Sequence, residues 1–487
     1  MQKSASLSET TVPSPDDEPL YVGGPRIYQQ SVKGRLRTIK WAVLFVCLGV
    51  YYFLPFVRWY RGPNQPDQAV LVDLANNRFY FFFIEIWPQE VYYFTGLLVL
   101  ASLILFLSNA VAGRVWCGYL CPQTVWTDLF MTVERWIEGD RRERMLADAR
   151  PMTAAKFGRL ALKHFVWLMI AWWTGGAWVL YFADAPTLVK DLATFQAPMI
   201  AYVWIAILTF TTYALAGLMR EQVCLYMCPW PRIQAALTDQ YALNVTYRYD
   251  RGEPRMSVKS AAKARAAEEP AGDCIDCRQC VVVCPTGVDI RDGSQMGCIQ
   301  CGLCIDACNT VMTKVNRPLG LIAYDNDVNI TRRAEGLEET YPIVRSRTVL
   351  YVAMIALVGL AMLYGLMTRS FTDLSVLHDR NPLFVQLSDG SVRNSYTVRL
   401  LNKRPLHRIF VLAVDGLPQA RATAVGIPNT EIGWPLIEVA PDATREVIVH
   451  VTAPNAASLP ASTDVTFRIT ELGSGERVSS RDHFIAR

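Results

Sequence analysis

The sequence has no cysteine after Cys308, although it holds 13 cysteines in 487 residues. Residues 369–487 therefore offer no thiol to a metal. They carry no histidine cluster either, which favours a docking module over a catalytic one. The chain also shows no convincing glycine-rich nucleotide pattern and no C-x-x-C-H site for haem attachment. The sequence therefore gives no sign of a nucleotide or of covalently attached haem, and any thiol chemistry is confined to the residues before 309.

An excess of charge of one sign is also lacking, since the formal net charge is only +4. So small an excess does not favour nucleic-acid binding. The lysines and arginines gather before the first long apolar run, between the second and third, and between the fourth and fifth, whereas residues 184–198 hold only Lys190. By the positive-inside rule this distribution predicts a cytoplasmic N-terminus.

Long apolar runs are what the chain does have, with 52% hydrophobic residues overall. Five runs are long enough, or nearly so, for the ~20 residues that cross a bilayer. They lie near residues 39–57, 91–112, 165–183, 199–219 and 348–367. Five crossings would place the C-terminus outside. The first run lacks a small-residue cleavage site, so it is expected to remain as an anchor.

Composition divides the chain into five segments. Residues 1–38 are polar and predicted to be a disordered cytoplasmic N-terminus. Residues 39–229 hold four spans, residues 230–346 form a soluble cytoplasmic domain, and residues 347–368 form the fifth span. In residues 369–487 the alternation of polar and apolar residues between Gly, Pro, Asn and Asp predicts a small antiparallel β-sandwich.

The soluble segment carries a repeated cysteine motif, CIDCRQCVVVCP at residues 274–285 and CIQCGLCIDAC at residues 298–308. Three thiolates at C-x2-C-x2-C spacing wrap one face of a 4Fe-4S cubane, while the fourth reaches a neighbouring cluster. The predicted ligands of the two clusters are Cys274, Cys277, Cys280 and Cys308 for one, and Cys298, Cys301, Cys304 and Cys284 for the other. Two structural zinc sites are less favoured, because such sites do not normally use an eight-cysteine repeat. Electrons must come from a separate cytoplasmic donor.

A second repeat lies beside the membrane, as WCGYLCPQ at residues 116–123 and VCLYMCPW at residues 223–230. Each copy ends a hairpin of spans and follows an arginine, Arg114 or Arg220. This order indicates an internal duplication, whose two motifs would meet at the cytoplasmic face.

The four thiols of this repeat are candidate metal ligands. Cys117 and Cys121 share one helical face, as do Cys224 and Cys228, and the proline after each pair predicts a break in the helix. Soft thiolates favour Cu(I), zinc or iron-sulfur iron. The thiols could hold one shared metal or one copper ion per pair, and the alternative is that they are small buried packing residues.

Other polar groups near the membrane are assigned mainly structural roles. Cys47, alone in the first span, is predicted to be a small buried residue, and His164 a structural interface residue. Tyr119 and Tyr226 could tune or gate the thiol site or anchor the membrane interface. Glu85, in the aromatic loop RFYFFFIEIWPQE, is a weaker candidate for an external metal or substrate contact.

The predicted fold class is a multi-domain membrane protein: an α-helical transmembrane bundle with an inserted dicluster ferredoxin-like domain and a C-terminal all-β domain. Together with WCGYLCP and CLYMCPWP, this order resembles the FixG/RdxA/CcoG family of cbb3-type cytochrome c oxidase accessory proteins over essentially the whole chain. The resemblance implies a cupric reductase of the bacterial inner membrane that reduces Cu(II) to Cu(I). It also implies a periplasmic immunoglobulin-like C-terminal domain and copper handling by Cys117, Cys121, Cys224 and Cys228.

The partners implied by the resemblance are a copper transporter or chaperone and subunits of the cbb3-type oxidase during its assembly. The oligomeric state stays open, with a homo-oligomer as one form. Two other functions stay open as well. Membrane ferredoxins with the same C-x-x-x-C-P motifs act as quinol dehydrogenases, and a copper-binding assembly scaffold would need no enzymatic activity.

Overall fold

The computed structural model describes residues 26–62, 65–404, 406–429, 433–454 and 459–487. The chain divides into two compact units, one formed by the residues up to Val57 with Gln68–Val358, the other by Arg58–Asp67 with Gly359–Arg487. The helices are α1 (Arg35–Phe53), α2 (Tyr92–Ala112), α3 (Val115–Tyr119), α4 (Pro122–Glu138), α5 (Arg141–Ala149), α6 (Ala154–Val179), α7 (Ala185–Ala193), α8 (Met199–Thr212), α9 (Trp230–Leu237), α10 (Tyr249–Gly252), α11 (Val258–Ala266), α12 (Gln279–Val282), α13 (Leu303–Lys314), α14 (Asp327–Ala334) and α15 (Ser346–Met367).

Four helices in the described residues are long and apolar enough to cross a membrane. They are Arg35–Phe56, Pro88–Ala112, Met199–Met219 and Ser346–Met367, and each lies within a few residues of a predicted run. Large apolar side chains on them are mostly exposed, for example Phe45 at 66% and Leu357 at 70%. Apolar side chains exposed along a whole helix are typical of a lipid-facing surface.

The predicted run at residues 165–183 corresponds to α6. Its 26 residues reach roughly 39 Å at the helical rise, which is enough to cross a bilayer. It is less apolar than the four helices above because it carries Lys163, His164 and several tryptophans. A Cβ added to Gly175 would lie 2.9 Å from the carbonyl oxygen of Ile205, so α6 packs closely against α8. The two helices form the second predicted hairpin.

The segment just before α1 corrects the prediction that residues 1–38 are disordered. Residues 1–25 lie outside the described residues, but residues 26–34 run as an extended segment against the cysteine-rich domain. Gln29 is 2% exposed, and its amide donates a hydrogen bond to the carbonyl of Val283 at 2.9 Å. The polar composition of this segment reflects hydrogen bonds to partners distant in sequence, which composition alone does not reveal.

The cysteine-rich domain is closed by a pair of short strands from its two ends. Strands β1 (Val70–Asp73), β2 (Arg78–Phe81) and β3 (Ile84–Ile86) form a small sheet earlier in the chain. In the cysteine-rich domain, β4 (Asn244–Tyr247) pairs antiparallel with β5 (Ile322–Asp325). The charged segment SAAKARAAEEP, residues 260–270, begins inside helix α11. The buried core of the domain combines apolar residues such as Ile290 and Met312 with the cysteines themselves.

The second unit is a β-sandwich, as the alternating pattern predicts. Its strands are β6 (Thr372–His378), β7 (Val385–Gln386), β8 (Val392–Asn402), β9 (Arg408–Asp415), β10 (Arg421–Ala424), β11 (Leu436–Val439), β12 (Ala443–Ala453), β13 (Ser462–Glu471) and β14 (Arg477–Ile485). They form one sheet in the order β10-β12-β8-β6, with β7 also on β8, and a second in the order β11-β9-β13-β14. The inward faces bury Tyr396, Phe410, Phe467 and Phe484 completely. This confirms the immunoglobulin-like all-β domain.

Candidate functional site

The eight ferredoxin-type cysteines surround two neighbouring cavities. We call these the outer site, lined by Cys274, Cys277, Cys280 and Cys308, and the inner site, lined by Cys284, Cys298, Cys301 and Cys304, with Cys280 at the wall between them. In each set the fourth cysteine comes from the other motif, as the spacing predicts. The ligand assignment itself stays a prediction, and this grouping supports it.

The two cysteine loops share one backbone conformation. Asp276 and Arg278 have φ values of 52° and 54°, and the corresponding Gln300 and Gly302 have φ values of 56° and 73°. Left-handed residues in such loops turn successive backbone N–H groups into a concave anion-binding surface. One of these groups, the N–H of Gln300, donates a hydrogen bond to the sulfur of Cys298. Backbone donors around a buried set of thiols fit the negative charge of a bound cluster.

Within the described part of the chain, no three His, Cys, Asp or Glu side chains converge on a single metal ion. A cubane cluster does not require that geometry, because its four cysteine ligands are distributed around the cluster. The donor set and the backbone therefore fit two 4Fe-4S clusters, which when bound relay single electrons.

The outer and inner sites differ in their surroundings. Cys277, in the outer site, is exposed, whereas Cys301, in the inner site, is 7% exposed. Cys301 and Cys304 share a buried apolar cluster with Cys117 of the first membrane motif. The outer site therefore faces solvent and the inner site faces the membrane-side thiols.

The two C-x-Y-x-C-P motifs have the same local geometry. The N–H of Cys121 donates to the carbonyl of Trp116 at 2.9 Å, and the N–H of Cys228 donates to the carbonyl of Val223 at 2.8 Å. Both bonds span five residues, the π-helical spacing that is frequent at functional sites. Cys121 and Cys228 then turn to extended backbone, with ψ of 126° and 122°, because a proline follows each of them. The predicted helix break is present in both copies.

The two arginines stand at different distances from their motifs, since Arg114 lies three residues before Cys117 and Arg220 lies four residues before Cys224. A left-handed backbone lies four residues before the first cysteine of each motif, at Gly113 with φ 53° and ψ −124° and at Arg220 with φ 44° and ψ −112°. Arg114 therefore corresponds to Glu221. The arginines that precede the two motifs, Arg114 and Arg220, therefore do not occupy equivalent positions.

The two arginines accordingly have different partners. The guanidinium of Arg114 donates to the carbonyl of Met296 at 2.6 Å and to that of Cys298 at 3.3 Å, which anchors the first motif to the inner site. The guanidinium of Arg220 donates to the buried carboxylate of Glu134 at 2.9 Å, which anchors the second motif to α4.

The thiols of both motifs lie close enough for their charges to interact. Burial raises the pKa of Cys117 to about 12, and the neighbouring Cys121, Cys224 and Cys228 act in the same direction. Burial also raises the pKa of Cys224 to about 12, and the charges of Cys121, Cys228 and Glu221 act in the same direction. The two pairs of thiols therefore lie in the same region of the structure. At neutral pH these two thiols hold their protons, so a soft metal ion must displace a proton to bind them.

The first motif rests directly on the inner-site loop. A Cβ added to Gly118 would lie 2.8 Å from the carbonyl oxygen of Ile299 and 3.1 Å from the Cα of Cys301. The hydroxyl of Tyr119 donates to the carbonyl of Cys301 at 3.0 Å. Tyr119 is 8% exposed and so belongs to this contact rather than to the membrane interface, whereas Tyr226 is 58% exposed.

Two residues at the thiols were not predicted from the sequence. Gln234, on α9, accepts a hydrogen bond from the thiol of Cys117 at 3.2 Å. Glu221 lines a small cavity together with Cys224. The position of Glu221, three residues before Cys224, is a signal that could have identified it. Gln234 has no such signal, because only the fold brings α9 to Cys117.

The remaining candidates have structural contacts. Nδ1 of His164 hydrogen bonds the hydroxyl of Tyr213 at 2.9 Å, which agrees with a structural role. Glu85 forms an ion pair with Arg78 at 3.1 Å inside a small sheet, formed by Val70–Asp73, Arg78–Phe81 and Ile84–Ile86, and this contact occupies its carboxylate. Cys47 is half-buried rather than fully buried.

Three family models match separate parts of the chain. A 4Fe-4S binding domain matches residues 93–139, which include the first membrane motif. A 4Fe-4S dicluster domain matches residues 219–327, which include the second motif and both cluster sites. An IG-like fold at the C-terminus of FixG matches residues 362–487. The chain is thus an iron-sulfur electron-transfer protein with an immunoglobulin-like end domain.

Curated relatives match nearly the full length. The "Nitrogen fixation protein FixG" of Rhizobium meliloti is 48% identical over 94% of this chain and 92% of its own length. "Protein RdxA" and "Protein RdxB" of Cereibacter sphaeroides are 48% and 46% identical, over 94% and 96% of this chain and over 96% and 98% of their own lengths. With identity this high over almost the whole chain, the protein belongs to the FixG/RdxA family of membrane iron-sulfur proteins.

Proposed function

We propose that this chain is a membrane-bound cupric reductase, which transfers one electron to Cu(II) and holds the product Cu(I) on thiols of the two membrane motifs. The proposed copper-handling residues are Cys117, Cys121, Cys224 and Cys228. The observation that carries the proposal is the direct contact between the Cys117–Tyr119 turn and the inner-site loop.

Copper chemistry suits this arrangement. Soft thiolates hold Cu(I) well, whereas hard or borderline ions prefer oxygen and imidazole ligands. Four thiols beside a one-electron relay therefore supply both the electron and the ligands that the reduced ion prefers. Because Cys117 shares a buried apolar cluster with Cys301 and Cys304, no solvent layer separates the first thiol from the inner site.

The proposal extends to the partners and the topology. Cys277 is the exposed ligand of the outer site, so an electron donor would dock at that surface. In the proposed orientation this surface is cytoplasmic, the β-sandwich is a periplasmic docking module, and the membrane is the bacterial inner membrane. Cu(I) then passes to a chaperone or transporter and supports assembly of a cbb3-type oxidase.

The test uses the purified full-length protein with its clusters reconstituted and reduced by dithionite, which is then removed. Cu(II) reduction and ubiquinone turnover are followed in parallel, in the native chain and in a variant with all four membrane-motif cysteines changed to serine. Cys47→Ser is the matched control, because this cysteine belongs to the first span and to neither motif.

We expect copper reduction in the native chain and in the Cys47→Ser control, and its loss in the four-serine variant with the iron content unchanged. Copper reduction that survives the four serine changes would contradict the role of the thiols. Quinone turnover without copper reduction would favour a quinol dehydrogenase, and copper binding without either activity would favour a scaffold.

A further inference from the structure

A small cavity lies between the second membrane motif and the inner-site loop. Its volume is about 30 Å³, which is room for one water molecule or one ion. Residues from the first span, from α4, from the second motif and from the cysteine-rich domain line it, including Lys40, Asp128, Arg220, Glu221, Cys224 and Thr286. Thr286 in turn contacts the inner-site ligand Cys284, with its hydroxyl 3.4 Å from the sulfur.

The two cations at this cavity are already neutralised. Arg220 pairs with Glu134 at 2.9 Å, and Lys40 lies 3.8 Å from Asp128. Glu221, by contrast, makes no ion pair or side-chain hydrogen bond with any other residue that the structure describes, although it is half-buried. A half-buried carboxylate without a partner is costly unless a ligand compensates it.

The internal repeat shows that this carboxylate is not needed to dock the motif. The corresponding residue of the first motif is Arg114, whose guanidinium holds the carbonyls of the inner-site loop. In the second motif the same position carries the opposite charge, and Glu221 and Cys224 both line the cavity. The second copy therefore offers one oxygen ligand and one sulfur ligand to the same small space.

We infer that Glu221 and Cys224 form the site that first accepts Cu(II), with water completing its coordination. This inference rests on the proposed function. On binding, Cu(II) displaces the proton of Cys224, which passes to water. A cluster held at the inner site would supply the one electron that reduces Cu(II) to Cu(I), and an external donor would replenish it. The Cu–O bond to Glu221 then breaks, a Cu–S bond to a second thiol of the motifs forms, and the proton of that thiol passes to water. Reduction would thus move the ion from an oxygen ligand to a further sulfur ligand, because the reduced ion, Cu(I), prefers soft thiolates.

The test compares Glu221→Gln with Glu221→Asp and with Glu269→Gln, an exposed carboxylate for which the structure shows no ion pair. Each full-length holoprotein is mixed with copper(II) sulfate and freeze-quenched within milliseconds, and the Cu(II) electron paramagnetic resonance spectrum is recorded with the clusters oxidised. Steady-state kcat and KM for Cu(II) and the Cu(I) affinity, measured by competition with a chromogenic chelator, complete the set.

We expect Glu221→Gln to lose the early oxygen-coordinated Cu(II) signal and to raise the KM for Cu(II) by ~10-fold or more, with the Cu(I) affinity unchanged. Glu221→Asp should retain part of the signal, and Glu269→Gln should match the native chain. An unchanged signal and KM in Glu221→Gln would overturn the inference while the four-thiol role still stands. Copper reduction that does not need the thiols would instead overturn the proposed function.

Discussion

The thiol of Cys117 donates a hydrogen bond to the side-chain oxygen of Gln234, 3.2 Å away, and Gln234 is only 1% exposed. The backbone of Gln234 is held in turn, because its carbonyl accepts from the amide of Asn109 at 3.2 Å. Groups that hydrogen bond a metal ligand orient that ligand and tune its basicity. Gln234 is therefore placed to position the first of the four membrane-side sulfurs.

Replacing this amide by an apolar group should weaken metal binding at Cys117. In Gln234→Leu the thiol loses its hydrogen-bond partner, and we expect the Cu(I) affinity to fall by about 10- to 100-fold. Competition with a chromogenic Cu(I) chelator measures the change. The exposed Gln196→Leu serves as the control, and equal affinities in the two variants would show that Gln234 has no role at the sulfur.

A methyl group at Gly118 should separate the first motif from the inner site. The added Cβ would lie 2.8 Å from the carbonyl of Ile299, so the two backbones must move apart at a cost of about 1–3 kcal/mol. We expect Gly118→Ala to slow Cu(II) reduction in stopped-flow experiments. Gly176→Ala, where a Cβ meets nothing within 4 Å, should reduce copper at the native rate. A native rate in Gly118→Ala as well would mean that this contact does not limit the reaction.

The buried carboxylate of Glu134 should make stability depend on pH. Burial raises the pKa of Glu134, but Arg220, Arg144 and Lys163 outweigh this effect and hold the pKa at about 2, below its ordinary value of 4.5. A lowered folded-state pKa adds stability above about pH 4.5, and this stability is lost as the pH falls toward 2.

Glu134→Gln removes the carboxylate that pairs with the buried Arg144 and Arg220, whereas Lys163 keeps its ion pair with Glu138 at 2.8 Å. It should lower the free energy of unfolding by about 3–5 kcal/mol at neutral pH. Denaturant unfolding in detergent between pH 7 and pH 3 measures this loss, which should shrink toward the acid end. The exposed Glu335→Gln is the control. A loss that stays constant with pH would argue against the ion-pair account.

Arg220 combines a left-handed backbone with the ion pair to Glu134. Both Arg220→Ala and Arg220→Gly remove the ion pair, but only glycine adopts a φ of 44° without strain. We expect both variants to unfold more easily than the native chain, with the glycine variant more stable than the alanine variant by about 1–3 kcal/mol. Equal denaturation midpoints for the two variants would contradict the strain at this position.

Cys308 completes the outer site and Cys284 completes the inner site, although each comes from the other motif. Serine at these two positions should therefore have different effects on copper reduction. Cys308→Ser should disturb the outer cluster and Cys284→Ser the inner one, each seen as partial loss of iron and of one signal in the reduced spectrum. Copper reduction by the pre-reduced protein, after dithionite is removed, should be lost in Cys284→Ser and largely kept in Cys308→Ser, because the inner site adjoins the membrane thiols. The reverse pattern would exchange the outer and inner roles.

The spacing of residues along the chain was sufficient to predict those ligands and structural elements that depend on residues close in sequence. The two C-x2-C-x2-C-x3-C motifs predicted which cysteines share a cavity, and the prolines after Cys121 and Cys228 predicted the two breaks. Apolar runs and period-two alternation predicted the spans and the sandwich, because burial in lipid or between sheets imposes those patterns on consecutive residues.

The sequence by itself thus determined the cluster motifs, the paired thiols and the order of domains. Only the tertiary structure decided that Gln234 meets Cys117 and that Gln29 packs on the cysteine-rich domain. These relationships join residues separated by more than 100 positions. They depend on how helices and loops pack, and a hydrogen bond or cavity between distant segments imposes no local spacing from which it could be predicted.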